Sequence, residues 1–286
     1  MVTAPYPPAA PPLAVPVGSC DSHHHVFDPE RFPYSPDDTR HQPPATAAQY
    51  RAMRDSLGLQ RSIIVTPSCY GTDNACTLDA VDQLGEGSKA VVVLPPEPTE
   101  RDLDALTGHR VCGVRLNMVR SGSANAETLQ RTAALAADHG WHLALWMGCD
   151  SLVSMEHVIA SLPCRLVLDH RGNIPVDGGP DHPAFQTVRR LLDAGRAWVK
   201  VSAPYHGGSY PDFPESQTLA RILLAQSPER VLWGTDWPHP SEYTKGMTPP
   251  SESQILRLLY QACPDEDTRN LVLVDNPAEI FDFPRP

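Results

Sequence analysis

Three consecutive histidines in Cys20-Asp21-Ser22-His23-His24-His25-Val26-Phe27 put His23 and His25 two residues apart. On a strand, residues two apart point to the same face, so these imidazoles converge on one point while His24 turns away. Such a pair can ligate a metal, polarise a carbonyl or hold a water. Further polar residues recur wherever a β-branched run ends: Pro67-Ser68-Cys69-Tyr70-Gly71-Thr72-Asp73-Asn74, then Arg115 and Asn117, then Asp169 and His170. The series continues with Lys200, Ser202, Tyr205 and His206, and closes with Asp236, Trp237 and His239. His23, His25, His170 and Asp236 are the members able to do acid–base or ligand chemistry.

A frame that gathers strand ends at one mouth is needed to make these residues a site. The runs are Asp21 to Val26, Arg61 to Thr66, Lys89 to Leu94, Val111 to Leu116, Trp141 to Trp146, Arg165 to Asp169, Ala197 to Ser202 and Arg230 to Gly234. Helix-like segments such as Ala126 to His139, His182 to Leu192 and Ser216 to Ala225 alternate with them. Near-continuous apolar strands separated by helices imply parallel strands buried on both faces. Eight such units predict a single-domain α/β protein, a (β/α)8 TIM barrel, over residues 18–286, behind a flexible Pro/Ala-rich arm at 1–17. A doubly wound open sheet is the competing architecture, but no Gly-x-Gly-x-x-Gly follows an early strand.

Composition narrows the partners. A net charge of -11 without a run of Lys and Arg argues against nucleic acid. No stretch of about 20 apolar residues offers a membrane span. Seven scattered cysteines without a Cys-x-x-Cys pair suggest neither a zinc finger nor a disulfide framework. They fit a reducing, cytoplasmic setting. A homo-oligomer is allowed by the sequence and not specified by it.

The motifs Asp21-Ser22-His23-His24-His25, Gly113-Val114-Arg115, Leu168-Asp169-His170, Trp233-Gly234-Thr235-Asp236-Trp237-Pro238-His239 and Asp275-Asn276-Pro277-Ala278 resemble the amidohydrolase superfamily, in its amidohydrolase-2 branch. The Pro67 to Asn74 segment is similar to that of 2-pyrone-4,6-dicarboxylate lactonase and related sugar-lactone hydrolases and isomerases. The resemblance implies a lactonase acting in the catabolism of aromatic or sugar acids on a small carboxylated lactone. It also implies a site that works without metal or other cofactor. Metal-dependent members usually add a histidine after the fifth strand, and binuclear ones a lysine after the fourth. Here those strands end in Trp146-Met147 and Arg115-Leu116-Asn117. The rival is one zinc held by His23, His25, His170 and Asp236, serving a decarboxylase or amide hydrolase; lactone isomerisation is a third reading.

Within the lactonase reading, Asp236 is the base that deprotonates water, with a proton affinity raised by desolvation. His23, His25 and His170 donate hydrogen bonds to the carbonyl oxygen as it gains charge. Arg115, with Arg120 as a second clamp, grips a substrate carboxylate, and Ser68, Tyr70 and Trp146 line the pocket. His206 stands where dicarboxylate-binding relatives carry arginine, which predicts a preference that shifts as His206 titrates between about pH 5.5 and 8. Asp73-Asn74 reads as a helix N-cap. His109, His139, His142, His157 and His182 read as surface or packing residues.

Overall fold

The computed structural model describes residues 13–38, 42–119 and 125–285. Eight parallel strands run in sequence order: β1 (Cys20–His24), β2 (Arg61–Val65), β3 (Ser88–Val92), β4 (Val111–Asn117), β5 (His142–Trp146), β6 (Arg165–Leu168), β7 (Ala197–Val201) and β8 (Val231–Trp233). The three helices expected from periodicity form as Ala126–Asp138, Pro183–Asp193 and Pro214–Gln226. This is the (β/α)8 barrel. No helix among the described residues is long and apolar enough to cross a membrane.

Inward positions two apart along each strand stack in layers. Ile63, Val65, Val91, Ala144, Val167, Trp198 and Leu232 fill the lower barrel and pack on Ala278, Ile280, Phe281 and Phe283 from the chain's end. One step up, the same faces present Arg115, Asp169 and Lys200, all buried. The inward His142 needs Gly113 beside it: a Cβ at 113 would come 2.4 Å from its ring. Its Nδ1 bonds Cys112 O at 2.8 Å, so this histidine is a packing residue.

The barrel closes between β1 and β8 through irregular backbone. Asp236 N donates to His23 O and His25 N to Trp237 O, each at 2.8 Å. Asp21 seals this seam. Its carboxylate accepts from Thr235 N at 2.9 Å, Thr235 Oγ1 at 2.6 Å, Tyr50 Oη at 3.1 Å and His23 N at 3.1 Å. Burial pushes its pKa up to about 6 against the pull of those donors.

Two local expectations are corrected. The helix Ala75–Leu84 starts where expected, but Asn74 makes no side-chain cap bond. Its Oδ1 instead accepts from Thr66 Oγ1 and Val93 N, each at 2.8 Å, and its Nδ2 donates to Val93 O, joining the ends of β2 and β3. Asp73 takes the capping task by accepting from Ala75 N at 2.9 Å. Within the expected arm, Leu13 and Val15 pack against the barrel's outer layer and Tyr260 Oη donates to Ala14 O; residues 1–12 lie outside the described residues.

Candidate active site

The floor of the site is built where the seam turns. Asp236 sits at φ +61°, a left-handed conformation that costs a side-chain-bearing residue energy and is held here by the seam. Its Oδ1 lies 3.5 Å from His23 Nε2, 3.5 Å from His25 Nε2 and 3.9 Å from His170 Nε2. Its Oδ2 accepts from Tyr205 Oη at 2.5 Å. β1 ends at His24, one residue short of His25, yet the convergence read from alternation holds: the His23 and His25 rings are 5.0 Å apart. His24 faces outward and stacks on Tyr50 at 3.4 Å.

Hydrogen bonds assign which ring nitrogens carry protons. His25 Nδ1 is 2.7 Å from Val65 O, a group that only accepts, so Nδ1 carries a proton and Nε2 is the nitrogen turned to Asp236. His170 Nδ1 is 2.9 Å from Ser202 Oγ; with the hydroxyl donating, Nε2–H faces the cavity. Burial, the largest influence, holds the His170 pKa well below the usual imidazole value and brings those of His23 and His206 down to about 4. These rings are neutral at neutral pH. His206 thus gains no charge between about pH 5.5 and 8, which corrects the expected pH-dependent preference.

The expected sign for Asp236 is also corrected. Burial raises its pKa, but the imidazoles of His170, His25 and His23 gathered around it outweigh burial and hold it well below the carboxylate range. Asp236 is a standing carboxylate rather than a base tuned to the working pH. It takes a proton only from a water that is being made acidic by attack.

Beneath this floor lies a buried ionic layer. Lys200 Nζ is 3.0 Å from both His23 Nδ1 and Asp169 Oδ1, and Arg115 Nε is 3.6 Å from Asp169 Oδ2. Burial opposes the charge on Asp169, yet the ammonium of Lys200 and the guanidinium of Arg115 beside it keep its pKa well below the ordinary value. Candidate ligand atoms of His23, His25 and Asp236 fall within 4.8 Å of one another, as do those of His170, His206 and Asp236. His23 does not match a ligand in the first trio: a Nδ1 that accepts from an ammonium leaves the proton on Nε2, where a metal needs a lone pair.

A cavity of about 210 Å³ opens above, lined by His25, Arg115, Trp146, His170, His206 and Asp236, together with Ser68. Arg115 lies 5.5 Å over the Trp146 ring, and His206 stacks on His170 at 5.0 Å. His23 does not reach this surface and acts through Asp236. Tyr70 is turned away too, its hydroxyl accepting from Asp28 N at 2.9 Å. Arg120 lies outside the described residues. Gln42, Ser241, Thr244 and Lys245 also line the cavity. Gln42 comes from a loop and Ser241, Thr244 and Lys245 from the short helix Pro240–Thr244 and its C-cap, all away from strand ends, where strand periodicity gives no signal. Tyr205 stands beyond the end of β7, and its grip on Asp236 carries no sequence signal. Behind it stand His239, whose Nδ1 is 3.1 Å from Tyr205 Oη, and Glu252, 3.4 Å from His239 Nε2. Arg171 is a structural clamp, donating to Ser202 O at 2.6 Å and His206 O at 3.0 Å and so fixing the loop that carries Tyr205.

Barrel, histidine pair and eighth-strand aspartate together invite comparison with known proteins. The family model Amidohydro_2, described as Amidohydrolase, matches residues 20–283. The chain belongs to this amidohydrolase family. A 4-sulfomuconolactone hydrolase of Hydrogenophaga intermedia is 31% identical, covering 94% of this chain and 90% of the relative. A 2-pyrone-4,6-dicarboxylate hydrolase of Comamonas testosteroni is 29% identical over 96% of this chain and 93% of its own length. A D-galactarolactone isomerase of Agrobacterium fabrum is 29% identical over 95% and 94%. These similar proteins include both lactone hydrolases and a lactone isomerase.

Proposed function

We propose that this amidohydrolase hydrolyses a small lactone bearing at least one acidic group, without a metal. The observation that carries this reading is the pair of acceptors at the cavity floor, His25 Nε2 and Asp236 Oδ1, 3.5 Å apart. With His25 Nδ1 donating to Val65 O and its Nε2 left as acceptor, a water seated above both atoms gives one proton to each as hydrogen-bond donor and keeps its lone pairs for a carbonyl above it. On attack, the water oxygen bonds the ring carbonyl carbon and its proton passes to Asp236. The carbonyl oxygen, now negative, takes hydrogen bonds from His170 Nε2–H in the tautomer that Ser202 supports. Collapse breaks the ring C–O bond, and the proton on Asp236 moves to the departing alkoxide. The product is a hydroxy acid.

Arg115 and Lys245 are the cavity's cations. Arg115 offers a planar fork for a substrate carboxylate. Lys245 is bonded to the buried Glu242 at 2.8 Å, which fixes its position but shares its charge. The cavity is smaller than the ~300–1,000 Å³ of drug-sized sites and suits a single ring. The isomerase among the relatives supports a second use of the same base, in which a substrate hydroxyl replaces water at the carbonyl. Seven free thiols support a reducing, cytoplasmic setting.

The test is a panel of neutral, mono- and dicarboxylated lactones assayed over about pH 5.5 to 8, the ordinary histidine range. Acidic lactones are expected to open, with a preference that stays constant across the interval because His206 remains neutral above about 4. Decarboxylation or amide cleavage with no lactone opening would overturn the reading.

A further inference from the structure

Three side chains below the cavity form a cluster that the hydrolytic steps leave without a task. Lys200 comes from β7, Asp169 follows β6 and His23 lies on β1; each is fully buried and none lines the cavity. A buried ammonium and carboxylate are costly to desolvate, and the pair persists only with close partners. Lys200 has Asp169 Oδ1 at 3.0 Å and His23 Nδ1 at 3.0 Å.

Two neighbours compete for His23 Nδ1. Asp169 Oδ1, at 3.3 Å, would draw a proton onto it, whereas Lys200 Nζ can only donate to it. The Lys200 contact is the shorter and has hydrogen-bond geometry, while neither Asp169 oxygen makes a hydrogen bond. Nδ1 is then the acceptor, and the ring proton sits on Nε2, aimed at Asp236 Oδ1 3.5 Å away. His25 has the opposite arrangement, with Nδ1 donating to Val65 O.

We infer that Lys200 is a positioning residue that locks His23 in the Nε2–H tautomer. That lock gives Asp236 a fixed donor from below and denies a divalent metal the lone pair of His23. Metal-binding histidines have the reverse wiring, with the outer nitrogen donating to a carboxylate or carbonyl. The inference builds on the metal-free reading above, but it is measured without substrate, so the two fail separately.

The decisive experiment is nitrogen NMR on the whole chain with ¹⁵N-histidine at neutral pH, the His23 signals being assigned with His23→Gln. His23 is expected to show a bare Nδ1 and a protonated Nε2, and His25 the reverse. A proton on Nδ1 of His23 would overturn the lock. A second arm titrates zinc into wild type and into the double variant Lys200→Met/Asp169→Asn, which removes the buried pair together and so avoids stranding a charge. At least tenfold tighter zinc binding by the variant is expected. Equal affinity in a folded variant would refute the exclusion of metal, and if the variant does not fold, the wild-type spectrum still decides the tautomer.

Discussion

Asp236→Asn should leave a folded barrel that still binds acidic ligands but turns over about 10²- to 10⁴-fold more slowly, the usual worth of a positioned general base. The amide keeps the shape and can still accept from Tyr205, whose hydroxyl reaches the native carboxylate at 2.5 Å. It cannot take a proton from water. Its amino group would also face His25 Nε2, 3.5 Å from the native oxygen, and fill the water's place with a donor. The loss should therefore fall on kcat, with KM changed by only a few-fold. Steady-state kinetics beside a thermal melt checks this. Near-normal kcat in a folded variant would remove Asp236 from the base's role.

The second large effect is expected at Arg115. Arg115→Lys keeps the charge yet loses the two-pronged contact, since an ammonium is a point charge on a flexible stem. Hydrogen bonds to charged groups are worth roughly 1.5–3 kcal/mol each, so kcat/KM on acidic lactones should fall about 10- to 100-fold, at ~1.4 kcal/mol per tenfold. Arg115 also lies 3.6 Å from Asp169, whose other partner is Lys200, so the ionic layer beneath keeps one cation in the variant. Neutral lactones should lose far less. Equal losses on neutral and acidic lactones would make Arg115 structural.

The parts of this site that follow strand periodicity were legible in the sequence. His23, His25, His170, Arg115 and Asp236 stand at strand ends, and parallel strands in a closed barrel bring their ends to one mouth whatever the loops do. Convergence of His23 and His25 survived even though β1 stops at His24, because His25 is pinned to Trp237 across the seam. Lys200 and Asp169 stood in the same strand-end series, but their pairing needs the inward register of β6 and β7, which one-dimensional spacing does not carry. Desolvation alone gives the wrong sign for Asp236, because the imidazoles of His23 and His25 at the end of the first strand and His170 after the sixth outweigh it. Tyr70 illustrates the opposite error: a polar residue beyond a strand end whose hydroxyl turns back to bond Asp28. Gln42 reaches the cavity from a loop and Lys245 from the cap of a five-residue helix, both too short or irregular for a period to fix direction.

In the proposed mechanism, proton transfer from water to Asp236, beside His25 Nε2 and above the Nε2–H of a neutral His23, needs no Lewis acid. The direct test is to dialyse the active enzyme against a strong chelator, then measure its zinc content and its rate on an acidic lactone in one sample. The account predicts an unchanged kcat with zinc far below one ion per chain. A rate that falls with the metal and returns on adding zinc would contradict it.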